Sequence, residues 1–202
     1  MALEKPSMTT GSLEPERAVT GADERLAIDA GAGRDEQLDA FKRFLKLETE
    51  RLRLRHRMGL GGLEIASGRS HLADLVVSRA CQIAADSLGP GTTAELRASC
   101  ALVALGGYGR RELAPHSDVD VLFLYDEFSD GVARFVEQAL LLLWDIGLVV
   151  GHSLRSVEDC VTMAGRDVQT RRSMAEARLV AGSDVLFRRL NGALQELSLI
   201  HI

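Results

Sequence analysis

Two aspartates, Asp118 and Asp120, stand at the head of an apolar run, and the chain turns at Gly106-Gly107 shortly before them. On a strand, residues i and i+2 share a face and lie roughly 6.5 Å apart. Two carboxylates so placed can hold a hard cation such as Mg²⁺, which takes oxygen ligands and often brings phosphates with it. If the strands before and after the turn are neighbours, the glycines lie beside the acids. Small residues let a triphosphate approach the backbone, and exposed N–H groups in such a turn bind its oxygens. The layout points to nucleotidyl transfer, with one metal ion activating an attacking hydroxyl and another orienting and neutralising the triphosphate. Alone, Asp-x-Asp is more often a surface or capping pair; the nearby turn and the flanking strands set this one apart. Gly106-Gly-Tyr-Gly109 has neither the Gly-x-Gly-x-x-Gly spacing nor the Lys-Ser/Thr of a P-loop.

The elements that must position these residues follow from pattern. Residues 102–105 and 119–125 read as short strands bounded by Gly, Pro and Ser, and residues 148–154 as a third. Residues 132–144 predict a strongly apolar helix buried against the sheet, with Trp144 a core residue rather than a base-stacking one. Helices are also expected over 37–58 and 71–88, with 94–100 leading into the first strand. Ser156 caps a helix over 157–165, and another begins near Ser173 and includes Glu176 and Arg178 as a packed ion pair. Gly182 interrupts the pattern before a short helix over 185–197. The sum is an α/β fold, a small sheet covered by helices, with strand order left open. Residues 1–35 are expected as a flexible leader. Residues 36–93 form an N-terminal helical segment, and 94–202 the catalytic core with its C-terminal helices.

Composition narrows the function classes. A net charge of −5 gives no electrostatic case for a general nucleic-acid binder, and aromatics at 4% leave few stacking platforms. Cys81, Cys100 and Cys160 form neither a metal-ligand pattern nor a disulfide framework, and read as buried apolar residues in a reducing cytosol. The N-terminus lacks an apolar signal core, and no apolar run approaches the roughly 20 residues that span a bilayer. A cytoplasmic protein with no membrane or nucleic-acid partner is expected.

Three ordered blocks carry a resemblance. Gly106-Gly-Tyr-Gly-Arg-Arg-Glu-Leu-Ala-Pro-His-Ser-Asp-Val-Asp120 resembles the signature of the nucleotidyltransferase domain of bacterial protein-PII uridylyltransferases, usually Gly-Gly-Tyr-Gly-Arg-Gly-Glu-Leu-x-Pro-x-Ser-Asp-Ile-Asp-Leu. Leu143-Trp-Asp-Ile-Gly-Leu-Val-Val-Gly-His-Ser-Leu-Arg155 is similar to that family's Leu-Trp-Asp-x-Gly-Leu-x-Val-Gly-His-Ser-Val-Arg. Thr170-Arg-Arg-Ser-Met-Ala-Glu-Ala-Arg-Leu-Val-Ala-Gly182 is similar to its Thr-x-x-Ser-Leu-Leu-Glu-Ala-Arg-Leu-Leu-Ala-Gly. The likeness covers about residues 37–190. It implies a small mixed-sheet, polymerase-beta-like palm domain flanked by helices. It further implies transfer of UMP from UTP to a tyrosine hydroxyl of the PII nitrogen-signalling protein, with Mg²⁺ as cofactor and pyrophosphate as product.

By the resemblance, Asp118 and Asp120 are catalytic and hold magnesium, and Gly106 and Gly107 contact the triphosphate. Ser117 bonds a phosphate or orients Asp118. Arg110 meets a phosphate, braces the turn, or pairs with Glu112 or another acid. His152 and Arg155 border the site, with a core role for His152 as the alternative. Two departures stand out. Arg111 replaces the family's usual glycine. The third carboxylate that superfamily members carry on a neighbouring strand is missing from residues 148–154, which leaves Asp145, Glu158, Asp167 and Glu176 as candidates off that strand. The family's uridylyl-removing and glutamine-sensing domains do not fit in 202 residues, so a truncated chain is expected. Two alternatives remain open: another protein adenylyl- or nucleotidyltransferase of the superfamily, and a catalytically weak nucleotide-binding or interaction domain.

Overall fold

The structure, a computed structural model, describes residues 19, 21–28 and 31–200. In chain order the helices α1 (Ala22–Arg25), α2 (Arg34–Arg57), α3 (Gly62–Asp86) and α4 (Pro90–Ser99) precede strand β1 (Cys100–Ala104). A single helical turn, α5 (Gly106–Gly109), and a loop lead to β2 (Val119–Tyr125). Then come α6 (Asp130–Ile146), β3 (Val150–Arg155), α7 (Val157–Arg166), α8 (Val168–Ala175), β4 (Arg178–Gly182) and α9 (Asp184–Ile200).

The four strands form one mixed sheet in the order β3-β2-β1-β4. β1 pairs antiparallel with β2 and with β4, and β2 pairs parallel with β3. A right-handed α/β crossover is the usual way to join parallel strands, and here α6 makes the connection. Ser129 caps α6 by accepting from the Val132 N–H, and Gly147, at φ 97°, ends it in the left-handed conformation that glycine tolerates. The small α/β sheet flanked by helices is thus the observed architecture, as its residues predict.

Alternation along the strands divides the core in two. Leu102, Ala104, Val121 and Phe123 face α3 and α6, where Val76, Ala80, Ala139 and Leu143 are buried. Ala101, Val103, Leu122 and Leu124 face α7, α8 and α9 and meet Cys160, Met174 and Leu190. β2 is therefore covered on both sides, which is why it reads as an almost unbroken apolar run. Each fully buried leucine contributes about 1.5–3 kcal/mol through removal from water. The three cysteines are free and buried. Burial pushes the Cys81 thiol up to about 12 and is the main cause that raises Cys160 to about 11.

The helical segment departs from the pattern in two places. α3 begins at Gly62, where Glu64 accepts from the Gly61 N–H at 2.9 Å, well before residue 71. Residues 90–99 form a helix rather than a lead-in, because Pro90 sits in its first turn, the position whose N–H is not needed. Residues 1–18 of the expected leader lie outside the described residues. Within its remainder, Val19 and Ala22 are buried, and Arg25 makes two hydrogen bonds to Glu48, at 2.7 and 2.8 Å.

Glu48 is 2% exposed and also accepts from Arg51 at 2.6 Å. The Arg25 hydrogen bond is the main cause that lowers its pKa, against the opposing effect of burial. A carboxylate with a lowered folded pKa contributes stability above its unfolded value, about 4.3, and loses it as pH falls through the folded value. Glu48→Gln is therefore expected to cost about 2–3 kcal/mol at pH 7, less than a fully enclosed pair because both arginines reach solvent. The difference should shrink in denaturant melts run at progressively lower pH below 4.

The last departure is β4. A helix beginning near Ser173 and including Glu176 and Arg178 is expected from the pattern, but α8 runs from Val168 to Ala175 and Arg178–Gly182 joins the sheet. Ala101 pairs with Gly182 and Ala104 with Arg178, with an irregularity at Leu102/Val103. The Glu-Ala-Arg stretch favours a helix locally, and the free edge of β1 overrides that preference.

Candidate active site

The site is built where β1 ends. The Leu105 N–H donates to the Asp120 carbonyl at 3.0 Å, which fixes the start of α5 against the start of β2. Gly106 lies beside the acid, so close that an added Cβ would stand 3.7 Å from Asp120 Oδ2. The turn closes through Gly109 N–H to Leu105 C=O at 2.9 Å and Glu112 N–H to Gly107 C=O at 2.8 Å. Gly109 has no room for a side chain: a Cβ would fall 2.4 Å from the Glu176 carbonyl oxygen and 2.9 Å from that of Ala104. Buried Leu113 anchors the following loop and donates its N–H to Ser70 Oγ at 3.1 Å.

Asp120 opens into a cleft of about 370 Å³ between the sheet and α8, whose polar wall is Gly151, Ser153, Arg155, Thr170 and Ser173. The register pairs Asp120 with Gly151 and Leu122 with Ser153, so Gly151 and Ser153 share the face of Asp120. Burial raises the Asp120 pKa, and the neighbouring Asp118 charge raises it further. Asp118 and Ser117 are exposed on the loop just before β2. Gly151 leaves space for the acid, since a Cβ there would lie 2.3 Å from Asp120 Oδ1. Gly151→Ala is expected to turn the Asp120 carboxylate away and to lower transfer about tenfold or more with the fold retained, measured as initial rate beside a thermal melt. A larger cleft of about 630 Å³ lies at the α3–β4 edge, away from Asp120.

The remaining expected residues divide. Arg110 is held by Glu112 at 2.7 Å and by Glu176, so it braces the turn. Glu176 and Arg178 are not partners: Glu176 binds Arg110 and Arg172, and Arg178 binds Asp74. β4 separates them by turning Arg178 towards α3. His152 lies at the cleft rim and packs edge-on against Trp144, with centroids 5.8 Å apart. Trp144 is 47% exposed rather than core, because α6 turns Leu140 and Leu143 inward instead. Arg111 holds φ 61°, the left-handed region where glycine is unstrained, which accounts for glycine being usual there. Arg111→Gly is expected to stabilise by up to about 1 kcal/mol in denaturant melts, as relief of strain outweighs added unfolded-state entropy.

Among the described residues no third carboxylate lines the cleft. Asp145 pairs with Arg34 at 2.7 Å, and Glu158 is exposed with Arg189 at 4.0 Å. Asp167 caps α8 by accepting from the Gln169 and Thr170 N–H groups. Among the described residues no group of three or more His, Cys, Asp or Glu could hold a metal ion. Two acids still fit the divalent ion typical of nucleotidyltransferases, because Mg²⁺ is commonly held by one or two carboxylates together with substrate phosphates and water. Residue patterns missed Ser153, Thr170 and Ser173 as cleft residues. Their only signal was membership of the second and third motif blocks, because hydroxyls alone name no chemistry.

A turn of glycines against a strand-borne aspartate on a small mixed sheet is the architecture of a nucleotidyltransferase-type domain. Residues 49–149 match the family described as "Putative nucleotidyltransferase DUF294", and the chain belongs to that family. The match contains the turn and both aspartates. Over 100 residues the chain is 48% identical to a bifunctional uridylyltransferase/uridylyl-removing enzyme of Cupriavidus metallidurans, covering 49% of this chain and 12% of that one. It is 36% identical over 156 residues to the enzyme so named from Pseudomonas putida, covering 75% and 16%. The Nitrosococcus oceani enzyme is 35% identical over 155 residues, covering 76% and 16%. The chain thus spans less than a fifth of the length of these relatives. Among its described residues no helix is long and apolar enough to cross a membrane.

Proposed function

We infer that the chain transfers UMP from UTP to a tyrosine hydroxyl of a PII-type nitrogen-signalling protein in the cytoplasm, releasing pyrophosphate. The observation that carries this reading is the Asp120 carboxylate set between Gly106 and Gly151 at the mouth of a polar cleft. The names of the similar enzymes support uridylyl as the group transferred. Asp118 and Asp120 would hold Mg²⁺, which supplies charge neutralisation at the triphosphate when bound. Gly106 and Gly107 let the phosphates approach the backbone at the end of β1. Arg110, engaged by two acids, keeps the turn rigid, and Ser117 stands next to Asp118 to orient it. Arg155 of β3 adds a cation to the cleft, and Thr170 and Ser173 of α8 supply two hydroxyls from its opposite wall. The phenolic oxygen attacks the α-phosphorus as its proton passes to solvent, the α–β phosphoanhydride bond breaks in line to release pyrophosphate, and positioning by these groups lowers the barrier.

A second reading, a nucleotide-binding domain of weak turnover, is favoured by one observation: the four off-strand acids are engaged or exposed elsewhere and none lines the cleft. One experiment separates the two. Purified chain is given α-labelled UTP, Mg²⁺ and a PII-type protein, with ATP in parallel. Label moving from UTP to the protein supports transfer. Metal-dependent UTP binding without transfer supports the weak domain, and preferential transfer from ATP assigns an adenylyltransferase.

A further inference from the structure

α6 buries most of its apolar side yet leaves Leu141 and Trp144, one turn apart, 41% and 47% exposed. The chain enters β3 through Val149, 66% exposed. His152 of β3 both packs against Trp144 and lines the Asp120 cleft, so this apolar surface is continuous with the candidate active site. β3 is also an end strand, with no strand on its outer side among the described residues. Alternation sends Gly151 and Ser153 to the Asp120 face and His152 to the α6 face. On the other flank of β2, β1 and the Gly106 turn close the site.

We propose that the free edge of β3, with Leu141 and Trp144, is where the protein acceptor docks by laying a tyrosine-bearing extended segment along β3. This rests on the protein-modifying reading of the site. Transfer to a protein hydroxyl needs a chain that reaches Asp120, and the β3 edge borders the cleft. Strand addition satisfies the open backbone groups of an edge and fixes register. The same alternation that splits β3 then acts on the guest: its tyrosine turns to the Asp120 face and its immediate neighbours turn to Trp144. Apolar residues beside the modified tyrosine fit this surface, and an exposed tryptophan is a typical anchor of such contacts.

Trp144 is the chain's single tryptophan, so its emission reports on this surface directly. The chain, with Mg²⁺ and a non-hydrolysable UTP analogue, is titrated with a tryptophan-free PII-type protein. A blue shift of emission is expected. Trp144→Ser is expected to raise the acceptor's KM about tenfold or more while UTP affinity and kcat at saturating acceptor stay within about twofold, and Trp144→Phe should restore most of the loss. Acceptor bound or modified with unchanged emission and wild-type KM in Trp144→Ser overturns the docking surface and leaves the transfer reading standing. An emission shift that follows the chain's own concentration without acceptor also overturns it, by assigning the surface to a second copy. Absence of both acceptor binding and transfer in the unsubstituted chain overturns both readings together.

Discussion

Asp120→Asn is expected to abolish Mg²⁺-dependent transfer, lowering the rate by a factor on the order of 10²–10³ or more, while the fold survives. The amide is nearly isosteric and keeps the backbone hydrogen bond from Leu105 to the residue 120 carbonyl. What it removes is the charge facing the cleft between Gly106 and Gly151. In the free protein that charge is held at a cost, since burial and then Asp118 raise the Asp120 pKa. A carboxyl with a raised folded pKa detracts from stability above that value, so its removal leaves thermal stability at pH 7 unchanged or slightly higher. Initial rates with labelled UTP, set beside thermal melts with and without Mg²⁺, check both halves. Wild-type stability with unchanged turnover would remove Asp120 from the chemistry. Mg²⁺ with nucleotide should raise the melting temperature of the unsubstituted chain alone, because the substitution removes the carboxylate proposed to hold the metal.

The second large effect is structural. Arg178→Ala is expected to destabilise the chain by about 3–5 kcal/mol, a fall of roughly 6–20 °C in melting temperature. Arg178 forms a bidentate pair with Asp74, both bonds at 2.9 Å, with side chains 19% and 17% exposed. Its guanidinium lies 5.4 Å from the Tyr108 ring centroid and donates to the Gly109 and Tyr108 carbonyls at 3.3 Å. One side chain therefore ties β4 to α3 and to the glycine turn. Its loss leaves Asp74 largely buried without a cation, beside the buried Tyr108 hydroxyl. Burial, with the Asp74 charge adding to it, pushes that hydroxyl's pKa well up, so Tyr108 stays a neutral phenol and supplies no charge to offset Asp74. Asp74→Asn combined with Arg178→Ala should cost less than the sum of the single changes, since the stranded charge is gone. Denaturant melts of the four proteins measure the coupling directly.

The sheet's inner strands and the long helices follow from period and punctuation. β2 was expected at its observed bounds because it is buried on both faces and bounded by turn residues. α6 was expected because its apolar residues recur at helical spacing and end at Gly147. The Gly106–Asp120 juxtaposition was likewise legible, given neighbouring strands, because antiparallel pairing sets the end of β1 beside the start of β2. By itself, then, the sequence determined the α/β class, the turn, the pair of aspartates and the kinship with nucleotidyltransferases.

Tertiary structure decided what local pattern leaves degenerate. Arg178–Gly182 carries no strand alternation of its own and becomes β4 because β1 has an open edge to pair with. Arg178 then takes Asp74 rather than Glu176 as partner, and Glu176 is left to brace Arg110. Trp144 reads as core beside its apolar neighbours, but the inward arc of α6 is filled by Ala139, Leu140, Leu142, Leu143 and Ile146, and at 100° per residue Trp144 falls outside it. The gathering of Ser153, Arg155, Thr170 and Ser173 around Asp120 depends on the β2–β3 register and on where α8 folds back. Those placements are set by contacts between residues far apart in the chain, which periodicity within one segment does not record.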